Sequence, residues 1–375
     1  GEGRRPAGER WVALVTRRPS ITALAVVAAL GVLAVPAADL RLALTDSGSA
    51  PAERTERQAY DLTAAAFGPG ANGPLLVLAD LRGEADRPAA AAALGERLGA
   101  VDGVAAVAPA QRSADGEYAL LRVIPETGPR DERTERLVGE LEAVGGPSVG
   151  VTGVTAVGID ISALLRAALL PFVLVVVGLA VLLLMVAFRS LVVPLKATLG
   201  FLLSVGATLG VIVAVFQWGW LAELVGVART GPVISFMPII LMAVLFGLAM
   251  DYEVFLVSRM HEEYVRGRDP LRAVARGARA SGRVVAATAL IMTAIFAGFV
   301  PTGDATLKPI ALALAVGVLL DAFLVRMTLV PAVLALVGHR AWWLPRWVDR
   351  SLPNVDVEGA RLSGSDRGHA PVRVV

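Results

Sequence analysis

The stretch LLRAALLPFVLVVVGLAVLLLMVA (164–187) decides how the rest of the chain is read. Apart from Arg166 it holds no charged side chain, and as a helix it is long enough to cross the roughly 30 Å of hydrocarbon that about 20 apolar residues span. Runs of the same kind lie at about 20–38, 192–216, 233–257, 284–302 and 308–337, so six transmembrane helices are expected. A long polar stretch, 39–160, separates the first run from the other five, which gives a one-plus-five layout.

Composition agrees with a membrane chain. Of 375 residues 55% are apolar and 18% charged, and the mean hydropathy is +0.65, far from the norm of a soluble domain. The net charge of +2 conceals a separation. Segments 1–19, 188–197, 258–283 and 338–375 carry 20 basic against 9 acidic side chains, a net of +11, whereas 39–160 carries 11 against 19, a net of −8, and the remainder is −1. Basic short loops stay in the cytoplasm, so both termini are expected inside and 39–160 outside. A cleavable signal peptide is the rival reading of the first run, because basic residues precede it and VPAA (35–38) resembles a cleavage site.

The expected organisation is therefore a cytoplasmic linker (1–19), a first span (20–38), an external domain (39–160), a five-span bundle (161–337) and a cytoplasmic tail (338–375) whose end is disordered. Within the external domain, helical patterns at about 51–67, 86–99 and 130–144 are interleaved with strand patterns at 73–81, 103–109, 117–125 and 148–153. The order β-α-β-β-α-β is that of a split βαβ, ferredoxin-like unit. The basic segment 259–283 has Asp269 as a helix N-cap, Pro270 at the first helical position, and Arg272, Arg276, Arg279 and Arg283 at helical spacing. It reads as a helix on the inner membrane face touching anionic lipid, or equally as a solvated loop that fixes topology.

The chain has no cysteine, which excludes disulfides and thiolate chemistry, and its three histidines are scattered; no metal or cofactor is expected. Walker A, HExxH and GxSxG patterns do not occur, and nothing favours nucleic acid. Chemistry is then to be sought at ionisable residues inside the spans, which are costly there. Asp251 lies in LFGLAMDYEVFLVSR (245–259), and Asp321 and Arg326 lie in AVGVLLDAFLVRM (315–327). A desolvated carboxylate binds a proton more readily, as proton coupling requires. Tyr252 adjoins Asp251, Gly247 leaves room one turn earlier on the same face, and Thr288 and Thr293 offer hydroxyls from the fifth span. The bland alternatives are a structural hydrogen bond for Asp251 and a structural ion pair for Asp321 and Arg326, which at five residues apart are too far round an α-helix for an ideal pair yet within reach of long side chains. Glu253 is expected to snorkel to the cytoplasmic end, and His261 to be solvated in the inner loop.

The sequence FGLAMDYEVFLVSRMHEEY (246–264) resembles the MMPL branch of the resistance-nodulation-division (RND) transporters, as do residues 57–81, 188–220 and 319–347. The resemblance implies a proton-motive-force-driven exporter of lipids or other hydrophobic molecules. It also implies that Asp251 and Tyr252 form half of an Asp-Tyr proton relay, with Phe255 and Gly247 nearby, and that Asp321 and Arg326 match charged positions of the final helix. In the family two such halves are related by a pseudo-two-fold axis. This chain, which opens on Gly1, is expected to be the C-terminal half, its missing N-terminal partner supplying the opposing Asp-Tyr pair. Proton-driven help to protein translocation and lipid or sterol sensing without transport are the competing functions; a membrane enzyme is the weakest.

Overall fold

The computed structural model describes residues 7–267, 269–302 and 304–345. The expected disorder of the tail's end lies outside the described residues. Among the described residues six helices are long and apolar enough to cross a membrane: Pro19–Asp39, Val154–Phe188, Val192–Phe216, Met237–Val265, Ser281–Pro301 and Leu307–Trp342. The chain is a multi-pass membrane protein.

A short amphipathic helix α1 (Ala7–Arg17) precedes α2 (Pro19–Ala34), which opens on a proline and relaxes into a 3-10 turn over Val35–Asp39. Strand β1 (Leu42–Ala43) follows, then α3 (Thr55–Phe67), which stops at Gly68 because its φ of +87° suits only glycine. The next elements are β2 (Leu75–Asp80), α4 (Arg87–Gly99), β3 (Val104–Val107), β4 (Gln111–Arg112), β5 (Tyr118–Pro125), α5 (Glu132–Gly145) and β6 (Val149–Thr152). Asp86 and Asp131 cap α4 and α5 through their carboxylates. The helices and strands expected between 51 and 153 are all present, with ends displaced by no more than four residues.

The sheet runs β3-β5-β2-β6 with antiparallel pairing throughout, and β4 adds to β5. Leu75, Val77 and Ala79 of β2 alternate inward beside Ala119, Leu121 and Val123 of β5. They meet Leu94 and Leu98 of α4 and Leu137 and Leu141 of α5 in one apolar core. That core also takes Ala156 from the first turn of the next helix, α6 (Val154–Phe188). Only Gly153, at φ +102°, separates β6 from α6, so the sheet's edge strand is fused directly to a span. α6 carries Pro171 in its interior.

The bundle continues with α7 (Val192–Phe216), a four-residue α8 (Ala222–Val225), β7 (Val233–Ile234), α9 (Met237–Gly267), α10 (Pro270–Thr302), α11 (Leu307–Leu319), a π-helical segment (Leu320–Leu329) and α12 (Val330–Val337). In α7 67% of the apolar window is buried, against 11% in α2, α6 and α10, so α7 is the central span and the other three offer their surface to lipid. Ser190 Oγ accepts from the backbone N–H groups of Val192 and Val193 and donates to the Ala341 carbonyl, capping α7 and pinning the end of the sixth run to it. α2 packs on α7 as an integral part of the bundle, with Leu30 fully buried.

Three expectations are corrected. The fourth run does not begin as helix at 233: Val233 and Ile234 are β-branched, follow Pro232, and pair in parallel with Leu42 and Ala43, and α9 starts only at Met237. The basic segment 259–283 is neither a separate surface helix nor a loop. Its first part continues α9, and the rest forms the opening turns of α10, with Asp269 Oδ1 accepting from the N–H groups of Leu271 and Arg272 as expected of the cap. Gly277 explains the hairpin, since a Cβ there would lie 2.8 Å from Met260 Cα; the two backbones touch, and the opening turns of α10 pack on α9. His261 accordingly sits on α9 with its ring 4.5 Å from that of Trp342, not in a solvated loop.

Candidate functional site

α9 presents two faces. Gly247, Asp251 and Phe255 recur at four-residue spacing along one of them, and none of the described residues covers it: Asp251 is exposed, Phe255 is 40% exposed, and a Cβ on Gly247 would meet no atom within 4 Å. Asp251 makes no hydrogen bond or ion pair among the described residues. Glu253, two residues on, is turned about 200° round the helix and is 1% exposed. It does not snorkel. Because α9 runs on to Gly267, Glu253 lies well inside the helix, where two cations hold it.

Those cations define a buried chain of four charges. Lys196 Nζ of α7 donates to Glu253 Oε1 at 2.5 Å, Arg326 Nη1 donates to Glu253 Oε2 at 3.0 Å, and Arg326 Nε donates to Asp321 Oδ2 at 2.6 Å. Arg326 is 2% and Asp321 6% exposed. The formal charges cancel and three elements are cross-linked, which is the condition under which buried ions are tolerated. Asp321 and Arg326 form a close pair despite their five-residue spacing, because hydrogen bonds in a π-helix close from i to i+5 and bring the two side chains onto one face.

Tyr252 stands between the exposed and buried acids. Its hydroxyl is buried without a hydrogen-bond partner among the described residues, and Arg326, Asp321 and Asp251 all act on it electrostatically. The other Asp321 oxygen, Oδ1, is likewise unpartnered. The arrangement can therefore hold a proton at Asp321 Oδ1 or pass one through the phenol. Of the supporting residues, Thr288 spends its hydroxyl on the Val284 carbonyl of its own helix and Thr293 Oγ1 is buried without a partner, so neither is bonded to the acids. Sequence reading missed Lys196 and Glu253. The signal was available: Lys196 is one of only two lysines in the chain and falls within the third apolar run.

Beyond the bundle, a cavity of about 1050 Å³ lies between the sheet and the ends of the spans, lined among others by Arg122, Arg136, Arg166, Leu76 and Ile159. Its floor is fixed by Arg130, whose guanidinium donates to Ser49 Oγ and to the Pro232 carbonyl, with Asp46 at 3.7 Å. Burial pushes this guanidinium's pKa down, an effect that Asp46 opposes. Arg130→Met would strip charge-assisted bonds worth about 1.5–3 kcal/mol each. A lower Tm and faster protease nicking between β1 and α3 are the expected results.

Comparison with known proteins now decides the family. Residues 57–355 match the MMPL family. The chain belongs to the MMPL family. It is 44% identical to the membrane protein YdfJ of Bacillus subtilis over 94% of this chain and 49% of that protein. It is 37% identical to the mycolic acid-containing lipids exporter MmpL11 of Mycolicibacterium smegmatis over 93% of this chain and 38% of that protein. It is 38% identical to the heme uptake protein MmpL11 of Mycobacterium tuberculosis over 95% of this chain and 38% of that protein. This MMPL chain thus spans half or less of the length of these curated relatives. Two of these relatives are named for transport, one for lipid export and one for heme uptake.

Proposed function

We propose that this chain is one half of a secondary transporter of the cell membrane that exports lipids or other hydrophobic molecules and is driven by the proton-motive force. The observation that carries the reading is the neutral, buried chain Lys196–Glu253–Arg326–Asp321 set beside Tyr252 and Asp251. Four charges in the core of an apolar bundle are hard to explain as packing and natural as a route for protons. In this reading Asp251 and Tyr252 face a second six-span half with its own Asp-Tyr pair. That accounts for the uncovered face of Gly247, Asp251 and Phe255.

The sheet region is read as a ferredoxin-like porter domain on the outer face, with both termini in the cytoplasm; the strand order β3-β5-β2-β6, with α4 and α5 as connections, supports the first point and the charge separation along the sequence the second. Proton entry neutralises Asp251, the spans shift, and cargo passes through the cavity, which is lined by both arginines and carboxylates and whose 1050 Å³ suits a polar headgroup with part of its chains. Relatives named for lipid export lend weight to lipid cargo.

The test is Asp251→Asn in the full protein reconstituted in vesicles. Gradient-dependent movement of a fluorescent lipid is expected to fall to background, roughly the 10²-fold or greater loss typical when a proton-transferring group is removed. Undiminished movement would sink the proposal.

A further inference from the structure

Leu320–Leu329 is a ten-residue π-helix between two α-helices. Such winding is rare and usually confined to one turn, so ten residues of it need support. The backbone N–H of Val330 bonds to the carbonyl of Val325, five residues back. Thr328 Oγ1 donates to the Phe323 carbonyl at 2.7 Å, again five residues back; in an α-helix a threonine hydroxyl reaches the carbonyl three or four residues back, so this bond belongs to the π form alone. From outside, Trp11 Nε1 on α1 donates to the Met327 carbonyl at 3.3 Å. Gly200 of α7 makes the space, since a Cβ there would come within 2.7 Å of Val325 Cγ1.

The winding sets the geometry of the ion pair. At 3.6 residues per turn Arg326 would stand about 140° round the helix from Asp321, on a different face, and the close geometry of their 2.6 Å contact would be lost. We propose that 320–329 is a two-state winding switch, in which the π form holds Asp321 against Arg326 and the α form separates them, and that Trp11 and Thr328 are positioning residues that set the balance. This rests on the proton-driven reading above. A proton arriving at Asp321 Oδ1 converts the carboxylate to a neutral acid, and the attraction that rewards π winding is lost. Arg326 keeps Glu253, and the four-member chain passes from neutral to a single positive charge. Loss of the proton restores the pair.

Groups facing Asp321 from its surroundings are Arg326 on its own span and Glu253 and Tyr252 on α9, with Lys196 of α7 acting through Glu253. α2 has no charged side chain between Pro19 and Ala34, α10 carries its arginines at 272, 276, 279 and 283, near its start, α11 has Lys308 in its first turn, and α1 contributes Glu9, Arg10 and Arg17.

The chain has no cysteine, so spin labels can be attached to Leu199→Cys on α7 and Leu336→Cys on α12, both of which are exposed. The full protein, freed of any cysteine elsewhere and reconstituted in vesicles, is measured between about pH 8 and about pH 5, either side of neutrality. Two label distances that exchange with pH are expected. Thr328→Val and Trp11→Phe each remove one hydrogen bond from the π form, changing the ratio of the forms roughly fivefold. Because that favours the protonated form, the midpoint moves to higher pH by about 0.7 unit, and the pH profile of transport moves with it. Thr328→Ser, which keeps the hydroxyl, returns both to the parent values. A single distance at every pH, or a midpoint unmoved by Thr328→Val, overturns the switch. If Asp251→Asn abolishes gradient-driven transport while the distance stays fixed, the switch fails and the proton-driven reading survives; if the distances exchange but transport ignores the gradient, the reverse holds.

Discussion

Arg326→Met is expected to deplete the protein from the membrane before any transport can be measured. Arg326 is the middle member of the charge chain, bonded to Asp321 at 2.6 Å and to Glu253 at 3.0 Å. Methionine preserves much of the stem's volume and removes the charge, leaving two buried carboxylates to share Lys196, with Asp321 beyond its bonded reach. Breaking a buried pair by deleting one partner costs about 3–5 kcal/mol, a large part of the roughly 5–15 kcal/mol that holds a typical domain together. The double replacement Asp321→Asn with Arg326→Gln leaves Lys196–Glu253 intact and strands no charge, so it is expected to be better tolerated than the single one. Membrane abundance and Tm in mild detergent distinguish the two. Wild-type abundance of Arg326→Met would mean that the four charges are not mutually dependent.

Gly210→Ala is expected to pry α2 away from α7. A Cβ at Gly210 would lie 1.9 Å from the Leu33 carbonyl oxygen and 3.1 Å from Ala34 Cα. Both are backbone atoms, so no rotamer change relieves the overlap and the two helices must separate. Overpacking a tight interior costs about 1–3 kcal/mol, occasionally more, and here it falls on a contact between small residues of the kind that lets membrane helices approach. Gly206 supplies the control. One turn earlier on the same helix, its added Cβ would sit 3.5 Å from Ala34 Cβ, an ordinary contact, and Gly206→Ala is expected to be near neutral. The measurement is Tm, together with cross-linking between cysteines introduced on α2 and α7; equal behaviour of the two variants would refute the close approach.

How much of this was legible beforehand varied with the physical signal. Long apolar runs announce spans, because the bilayer requires uninterrupted length, and α7 has the boundaries read from sequence. Asp251, Asp321 and Arg326 were visible because a charge inside such a run has no neighbours to hide among. Glu253 was hidden by an error in length: with the fourth run closed at 257 it seemed terminal, whereas the helix continues to Gly267 on charged residues that no hydropathy pattern can extend. Lys196 was counted with loop charges because it lies in the second turn of α7. The Asp321–Arg326 ion pair was among the readings of the sequence and is present, but its close geometry was not legible. Residue spacing translates into geometry only once the winding is known, and the α period assigns these two to different faces. The paired strands β1 and β7, two residues each, are too short for any alternation to register.

One feature of α6 bears on how force would travel through the protein. The helix follows the sheet after one residue, Gly153, and carries Pro171 in its interior, where a backbone hydrogen bond is missing and helices bend. The arm from Val154 to Leu170 is roughly 25 Å long at about 1.5 Å per residue. A flexure of about 10° at the proline would swing the sheet's edge by about 4 Å. Flexed in this way, α6 would act as a lever with its fulcrum at Pro171, turning small rearrangements among the spans into displacements comparable to the spacing between neighbouring β-strands.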